Sequence, residues 1–201
     1  MLIWEGTDEW RAEAAHVQPE EDRFGATGVQ LGVGPVPYRL DYELETTATW
    51  VTRVLHVTAS GEGWRRSLRL ARDGQGRWTS TATSDGQVDL PVPGCAAGTV
   101  DGALDCDLGL SPLTNAMPIL RHQLHQSPGA VECAMAWVSV PDLAVHRSVQ
   151  HYQHLRTEPD GAVVRFTSGD FTAELVVDTD GFVVDYPDLA RRISGPPPAG
   201  R

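Results

Sequence analysis

Tyr38-Arg39-Leu40-Asp41-Tyr42-Glu43-Leu44-Glu45 alternates a large apolar residue with a charged one at every step. A two-residue period puts Tyr38, Leu40, Tyr42 and Leu44 on one side of an extended chain and the charges on the other, the signature of a half-buried strand. Downstream, Trp50 to Ala59 is β-branched and extended, and Trp64 to Ala71 sets Trp64, Arg66, Leu68 and Leu70 opposite Arg65, Ser67 and Arg69. The cluster Arg72-Asp73-Gly74-Gln75-Gly76 predicts a turn, after which Arg77 to Ala82 returns as the partner strand. Further strands are predicted at Val131–Val140, Val145–Arg156, Val163–Ser168, Phe171–Asp178 and Phe182–Tyr186.

Leu68 to Gly74 and Leu175 to Gly181 are each an outgoing strand ending in an Asp-Gly turn, and similar strands precede both. That order of elements suggests an internal duplication. Upstream, Thr7 to Ala15 reads as a short helix bounded by Gly6 and Pro19. About a dozen strands are more than the roughly eight that close a side-chain-filled barrel, so a curled sheet around a cavity is expected. The predicted fold is therefore all-β: a single domain over residues 1–193, a long curved antiparallel sheet forming an incomplete β-barrel, then a flexible Pro/Gly-rich tail over 194–201.

With 27 acidic against 16 basic residues the formal charge is −11, and every basic residue is Arg. Such an acidic chain is repelled by nucleic acid and by anionic bilayers. The first twenty residues lack a basic stretch followed by an apolar one, and no apolar run is long enough for a membrane-spanning helix, so a cytoplasmic protein is expected. Cys95, Cys106 and Cys133 are odd in number and lack paired spacing, which points to free thiols.

One run, Leu104 to Ile119, obeys neither the strand nor the helix pattern. It carries Asp105 and Asp107 at spacing two, then Ser111, Thr114 and Asn115 among Leu, Met and Ile residues. Two carboxylates on one face could share a proton or hold a metal, but the simpler reading, preferred here, is that they cap turns through backbone N–H groups. Ser111 has no Gly-x-Ser-x-Gly surroundings, so it is not read as a nucleophile. Arg121 is placed against Asp105 or Asp107 as an internal ion pair, while Arg53, Arg66 and Arg165 are read as stems covering apolar surface with heads in solvent or on a carboxylate. His122 with His125, and His151 with His154, are three apart in segments read as extended, where they face opposite sides; no metal is expected there.

The run Leu104-Asp105-Cys106-Asp107-Leu108-Gly109, with Ser111-Pro112 and Thr114 to Arg121, resembles the hallmark of the bacterial "putative glycolipid-binding" family, formerly catalogued as a domain of unknown function. Tyr38 to Tyr42, Gly76 to Trp78, Asp170 to Leu175 and Val184 to Pro187 extend the likeness over about Trp4 to Arg192. This chain has Cys106 where that pattern has Val, Ala116 for a Thr, and Leu120-Arg121 for Arg-Arg. The resemblance implies a curved, duplicated sheet similar in shape to the periplasmic lipoprotein carriers, which shelter acyl chains.

The function expected is non-enzymatic binding of a lipid or glycolipid-like molecule in the sheet's apolar cavity, with no cofactor. Asp105, Asp107, Ser111, Thr114, Asn115 and Arg121 would supply polar contacts, and Tyr38, Tyr42, Tyr152 and Tyr186 a lining. Two alternatives stay open: an enzyme using the Asp105/Asp107 pair, and a structural module whose central run locks the two halves together.

Overall fold

A computed structural model describes residues 1–194. Seven strands form a first meander: β1 (Leu2–Gly6), β2 (Arg11–Pro19), β3 (Phe24–Gly32), β4 (Tyr38–Thr46), β5 (Thr52–Gly61), β6 (Trp64–Arg72) and β7 (Trp78–Gly86). The crossing segment then contributes β8 (Asp105–Leu108), a 3-10 turn at Pro112–Asn115 and the one α-helix among the described residues, α1 (Ala116–Arg121). A second meander runs through β9 (Ala130–Val138), β10 (Val145–Glu158), β11 (Gly161–Ser168), β12 (Phe171–Asp178), β13 (Val183–Tyr186) and β14 (Ala190–Ser194).

All fourteen strands belong to one sheet, in the order β7-β6-β5-β4-β3-β2-β1-β14-β13-β12-β11-β10-β9-β8. Every pairing is antiparallel except β8 with β9. The two meanders join edge to edge where β1 pairs with β14. The terminal strands β7 and β8 are not partners, so the sheet stays open and is not a closed barrel.

The sheet curls around the crossing segment. Leu40 and Leu44 of β4, Leu55 of β5 and Leu68 of β6 share one core with Leu108, Leu113 and Met117. Ile119, two residues beyond Met117, packs instead with Met135, Tyr152, Val164 and Leu175 of the second meander. One short helix thus serves two apolar clusters. Six residues are too few for a helix that is stable by itself; burial of Ala116, Met117, Pro118 and Ile119 holds it in place. Thr52 locks the segment to the first meander: its hydroxyl accepts from the Cys106 N–H at 2.9 Å, and its N–H donates to the Leu104 carbonyl at 3.2 Å. The concave side is therefore occupied by this segment's own side chains.

β4 alternates buried and exposed residues along its whole length, as its sequence predicts. Three expectations are corrected. Thr7–Ala15 does not form a helix: β2 begins at Arg11 and is laddered on both sides, by β1 and β3, and pairing on two edges outweighs local helix preference. His122 and His125 are not in a strand but in the turns that follow α1. The Arg66 head reaches neither solvent nor a carboxylate; it is buried and donates to the carbonyls of Leu90, Pro91 and Asp142. Arg53 and Arg165 do sit exposed beside Glu45 and Glu174. Of the predicted tail, Ser194 closes β14, and residues 195–201 lie outside the described residues.

β3 contains Gly25, Gly28 and Gly32, a composition poor for a strand. The β4 rings explain two of them. Gly28 pairs with Tyr42 and Gly32 with Tyr38. A Cβ on Gly28 would lie 2.3 Å from the Tyr42 ring, and one on Gly32 would lie 2.5 Å from the Tyr38 ring. Each tyrosine lies over a glycine, which covers the bare backbone and turns the ring inward.

Candidate binding cleft

The hallmark carboxylates are separately engaged. Asp105 is fully buried and takes both arms of the Arg121 guanidinium, Nη1 at 2.9 Å and a closer Nη2. Burial pushes the Asp105 carboxyl up, and the guanidinium and its hydrogen bonds pull against that. Asp107 instead accepts from Thr114 Oγ1 at 2.9 Å and from Gln150 Nε2 at 2.6 Å. Its carboxyl is likewise raised by burial, against those two hydrogen bonds. Neither carboxyl group hydrogen-bonds the other among the described residues, so the arrangement is not a proton-sharing pair.

From Asp107 a polar chain runs inward. Gln150 Oε1 accepts from the Tyr152 hydroxyl at 2.9 Å, which in turn accepts from Asn115 Nδ2 at 2.9 Å. Thr114 Oγ1 also contacts the Ser111 carbonyl at 3.2 Å, closing the 3-10 turn on itself. No buried side-chain atom of Asp107, Thr114, Asn115, Gln150 or Tyr152 is left without a partner among the described residues, as a low-dielectric setting requires.

An open cleft of about 650 Å3 lies over this chain, within the size range of small-molecule sites. Asp107, Ser111 and Asn115 of the crossing segment line one side of it. Trp137 of β9, Gln150 of β10, Phe166 of β11, Phe171 of β12 and Tyr186 of β13 line the rest, with Asp142 at the β9–β10 turn. Phe166, Phe171 and Tyr186 form one aromatic cluster, their ring centroids 5.9 to 6.2 Å apart. Burial pushes the Tyr186 hydroxyl up, so it is a neutral donor.

Of the residues expected from sequence, Asp107, Ser111, Asn115 and Tyr186 meet at this cleft. Thr114 and Tyr152 stand directly behind it through the hydrogen bonds above. The Asp105–Arg121 pair lies off the cleft, where Arg121 also contacts the Thr49 and Trp50 carbonyls. Tyr38 and Tyr42 lie under the first meander. His151 pairs with Glu132, and His154 Nδ1 with the Leu124 carbonyl, each with its own partner. Another groove of about 460 Å3 crosses the first meander, but its His16, Asp41, Glu43 and His56 are exposed and solvated.

Sequence reasoning missed Glu13. This β2 residue is buried, and its Oε1 accepts from Tyr42 Oη at 2.6 Å and Ser111 Oγ at 2.7 Å. Burial lifts its carboxyl from 4.5 to about 7, against the hydrogen bonds from Tyr42 and Ser111. Glu13 Oε2, Gln30 Oε1, Tyr38 Oη and Arg11 Nε have no partner among the described residues. They surround a cavity of about 10 Å3, which Leu110 also lines, near the smallest volume that admits one water. Leu110, in the left-handed region at φ 63°, lines the cleft as well. The residues Leu110 and Ser111 thus separate this small chamber from the cleft. Ala12-Glu13-Ala14 gives no sign of this, because the partner Ser111 lies 98 positions away.

Fold and site define an all-β protein whose open sheet wraps its own crossing segment and carries a polar, aromatic cleft beside it. The chain belongs to the family described as "Putative glycolipid-binding", whose model matches residues 1–192. It is similar to a DUF1089 family protein from Pseudomonas aeruginosa known from a 1.80 Å crystal structure: 29% identity, TM-score 0.64, covering 90% of this chain and 92% of that one. No curated protein sequence matches the chain. Among the described residues, no helix is long and apolar enough to cross a membrane.

Proposed function

We propose that this protein binds, without chemically changing it, an amphiphile of the glycolipid type, and that the cleft between the crossing segment and β9–β13 receives its head. The observation that carries the reading is the composition of that cleft. Aromatic faces from three neighbouring strands stand opposite hydroxyl and amide groups presented by the family's hallmark segment. A pyranose ring has the matching pattern, apolar C–H faces and a rim of hydroxyls, and aromatic residues with a few placed polar groups recognise such shapes. The family description points the same way.

In this reading Asp107, Ser111, Asn115 and Tyr186 contact the head, and Thr114, Gln150 and Tyr152 fix their orientation from behind. The Asp105–Arg121 pair anchors the crossing segment. Tyr42 acts at one remove, through Glu13 and Ser111, and Tyr38 lines the small chamber behind them. The partly exposed Trp137 and Phe171 accept the first part of the apolar chain.

Native mass spectrometry of the protein, before and after extraction with organic solvent, tests the reading. Purified protein carries amphiphile mass that extraction removes, and the stripped protein takes up a short-chain glycolipid one-to-one. A stripped protein that takes up no amphiphile at any concentration refutes it.

A further inference from the structure

We infer that the cleft selects a head group without negative charge, an uncharged hydroxylated ring of the hexose class; this rests on the binding reading above. The argument is the charge around the cleft. Its lining contains two carboxylates, Asp107 and Asp142, and no Arg or His among the described residues. The Arg heads in contact with the surrounding segments end elsewhere, Arg11 on Asp8 and on the Leu189 backbone carbonyl. Arg121 is held by Asp105, Arg147 Nη1 donates to the Asp101 carbonyl at 2.7 Å, and Arg66 is buried against three backbone carbonyls. A phosphate, sulfate or carboxylate placed here would face the acceptor oxygens of Asp107 and Asp142 with no cationic side chain in the lining to meet it, in a site partly removed from water.

The remaining lining discriminates between a neutral and a cationic head. Both Asp107 oxygens already accept hydrogen bonds from Thr114 and Gln150. Asp142 Oδ1 accepts from the Ala144 N–H at 2.7 Å and from the Ser139 hydroxyl. The other polar groups are uncharged: Ser111, Asn115, Ser148, Ser168 and the Tyr186 hydroxyl. Hydroxyls that both donate and accept suit that inventory. A trimethylammonium head would meet Asp142 and the ring faces but has no group to exchange hydrogen bonds with these hydroxyls and amides, which a hexose does.

Titration of intrinsic tryptophan fluorescence with amphiphiles that differ only in the head tests this, each kept below its micelle concentration. The probes are octyl β-glucoside, octyl phosphate and octyltrimethylammonium, with methyl β-glucoside as the chain-free control. Octyl β-glucoside is expected to bind at least tenfold more tightly than octyl phosphate, about 1.4 kcal/mol. The gap should widen as salt is lowered. Asp142→Asn keeps Oδ1 as acceptor and should narrow the gap at least threefold. Octyl phosphate binding as well as the glucoside and competing with it, or octyltrimethylammonium displacing the glucoside, overturns the head-group assignment and leaves the amphiphile reading standing. Methyl β-glucoside binding as tightly as its octyl homologue does the reverse. If none of the probes binds, both fall.

Discussion

Glu13→Gln should make the protein more stable at neutral and alkaline pH, although it removes a hydrogen-bonded carboxylate. The Glu13 carboxyl is lifted by burial from 4.5 to about 7. Below about pH 4.5 the group is protonated in both folded and unfolded chains, and its full contribution to stability is present. Between the two values the unfolded chain releases its proton while the folded one keeps it, so stability falls as pH rises and the loss is complete above about 7. At 1.36 kcal/mol per pH unit, the interval from 4.5 to about 7 amounts to about 3 kcal/mol. Glutamine keeps an acceptor for Tyr42 Oη and Ser111 Oγ and never ionises. Urea unfolding of both proteins at about pH 5, 6, 7 and 8, followed by tryptophan fluorescence, gives the difference in stability at each pH. That difference should grow by most of about 3 kcal/mol across the series. Asp105 and Asp107 titrate alike in both proteins and cancel. A difference that stays constant within about 0.5 kcal/mol, the usual limit of additivity, would show that the Glu13 carboxyl is not held protonated by its burial.

Other substitutions probe the remaining devices of the fold. Arg121→Ala leaves Asp105 buried without its partner and should lower stability by about 3–5 kcal/mol at pH 8, less at pH 5 where the abandoned carboxyl protonates; a loss under about 1 kcal/mol in urea would contradict the buried-pair account. Gly32→Ala drives a Cβ into the Tyr38 ring and should destabilise by about 1–3 kcal/mol, with most of the loss recovered in the Gly32→Ala/Tyr38→Leu double variant. Met117→Ala opens a cavity where the crossing segment meets the first meander, and thermal unfolding should show about 2–5 kcal/mol of destabilisation. Trp137→Ala removes a partly exposed ring at the cleft and should weaken octyl β-glucoside binding at least fivefold while shifting the melting temperature by under about 3 °C.

The strands legible in the sequence are those with one wet face and one dry face. Tyr38 to Glu45 is unambiguous because every second side chain is charged. β3 is not, since its glycines make sense only once the β4 tyrosines lie over them. β2 looked helical because Ala12, Glu13, Ala14 and Ala15 are good helix formers, and the ladders that override this come from β1 and β3. The Asp105–Arg121 pair was legible because both residues fall inside one motif. Glu13 with Ser111 was not, because two segments remote in sequence meet only in the curled sheet. The cleft's aromatic wall was half visible: Tyr186 stood out as a tyrosine, while Phe166 and Phe171 read simply as strand interior.

The seam between the two meanders is thin. β1 has five residues, β13 four and β14 five, and the β13–β14 ladder registers at only two positions. Long strands flank this stretch on both sides, and Trp4 Nε1 bridges it to the Val183 carbonyl at 2.9 Å. Amides in such a short-strand zone are expected to exchange with solvent by local opening, ahead of those in β4, β5 or β10, which hydrogen-exchange measurements would show. Tyr186 and Leu189 belong to that zone and also line the cleft. The side of the cleft that Tyr186 and Leu189 supply is thus carried by two of the shortest ladders in the sheet, while the core around the crossing segment rests on long ones.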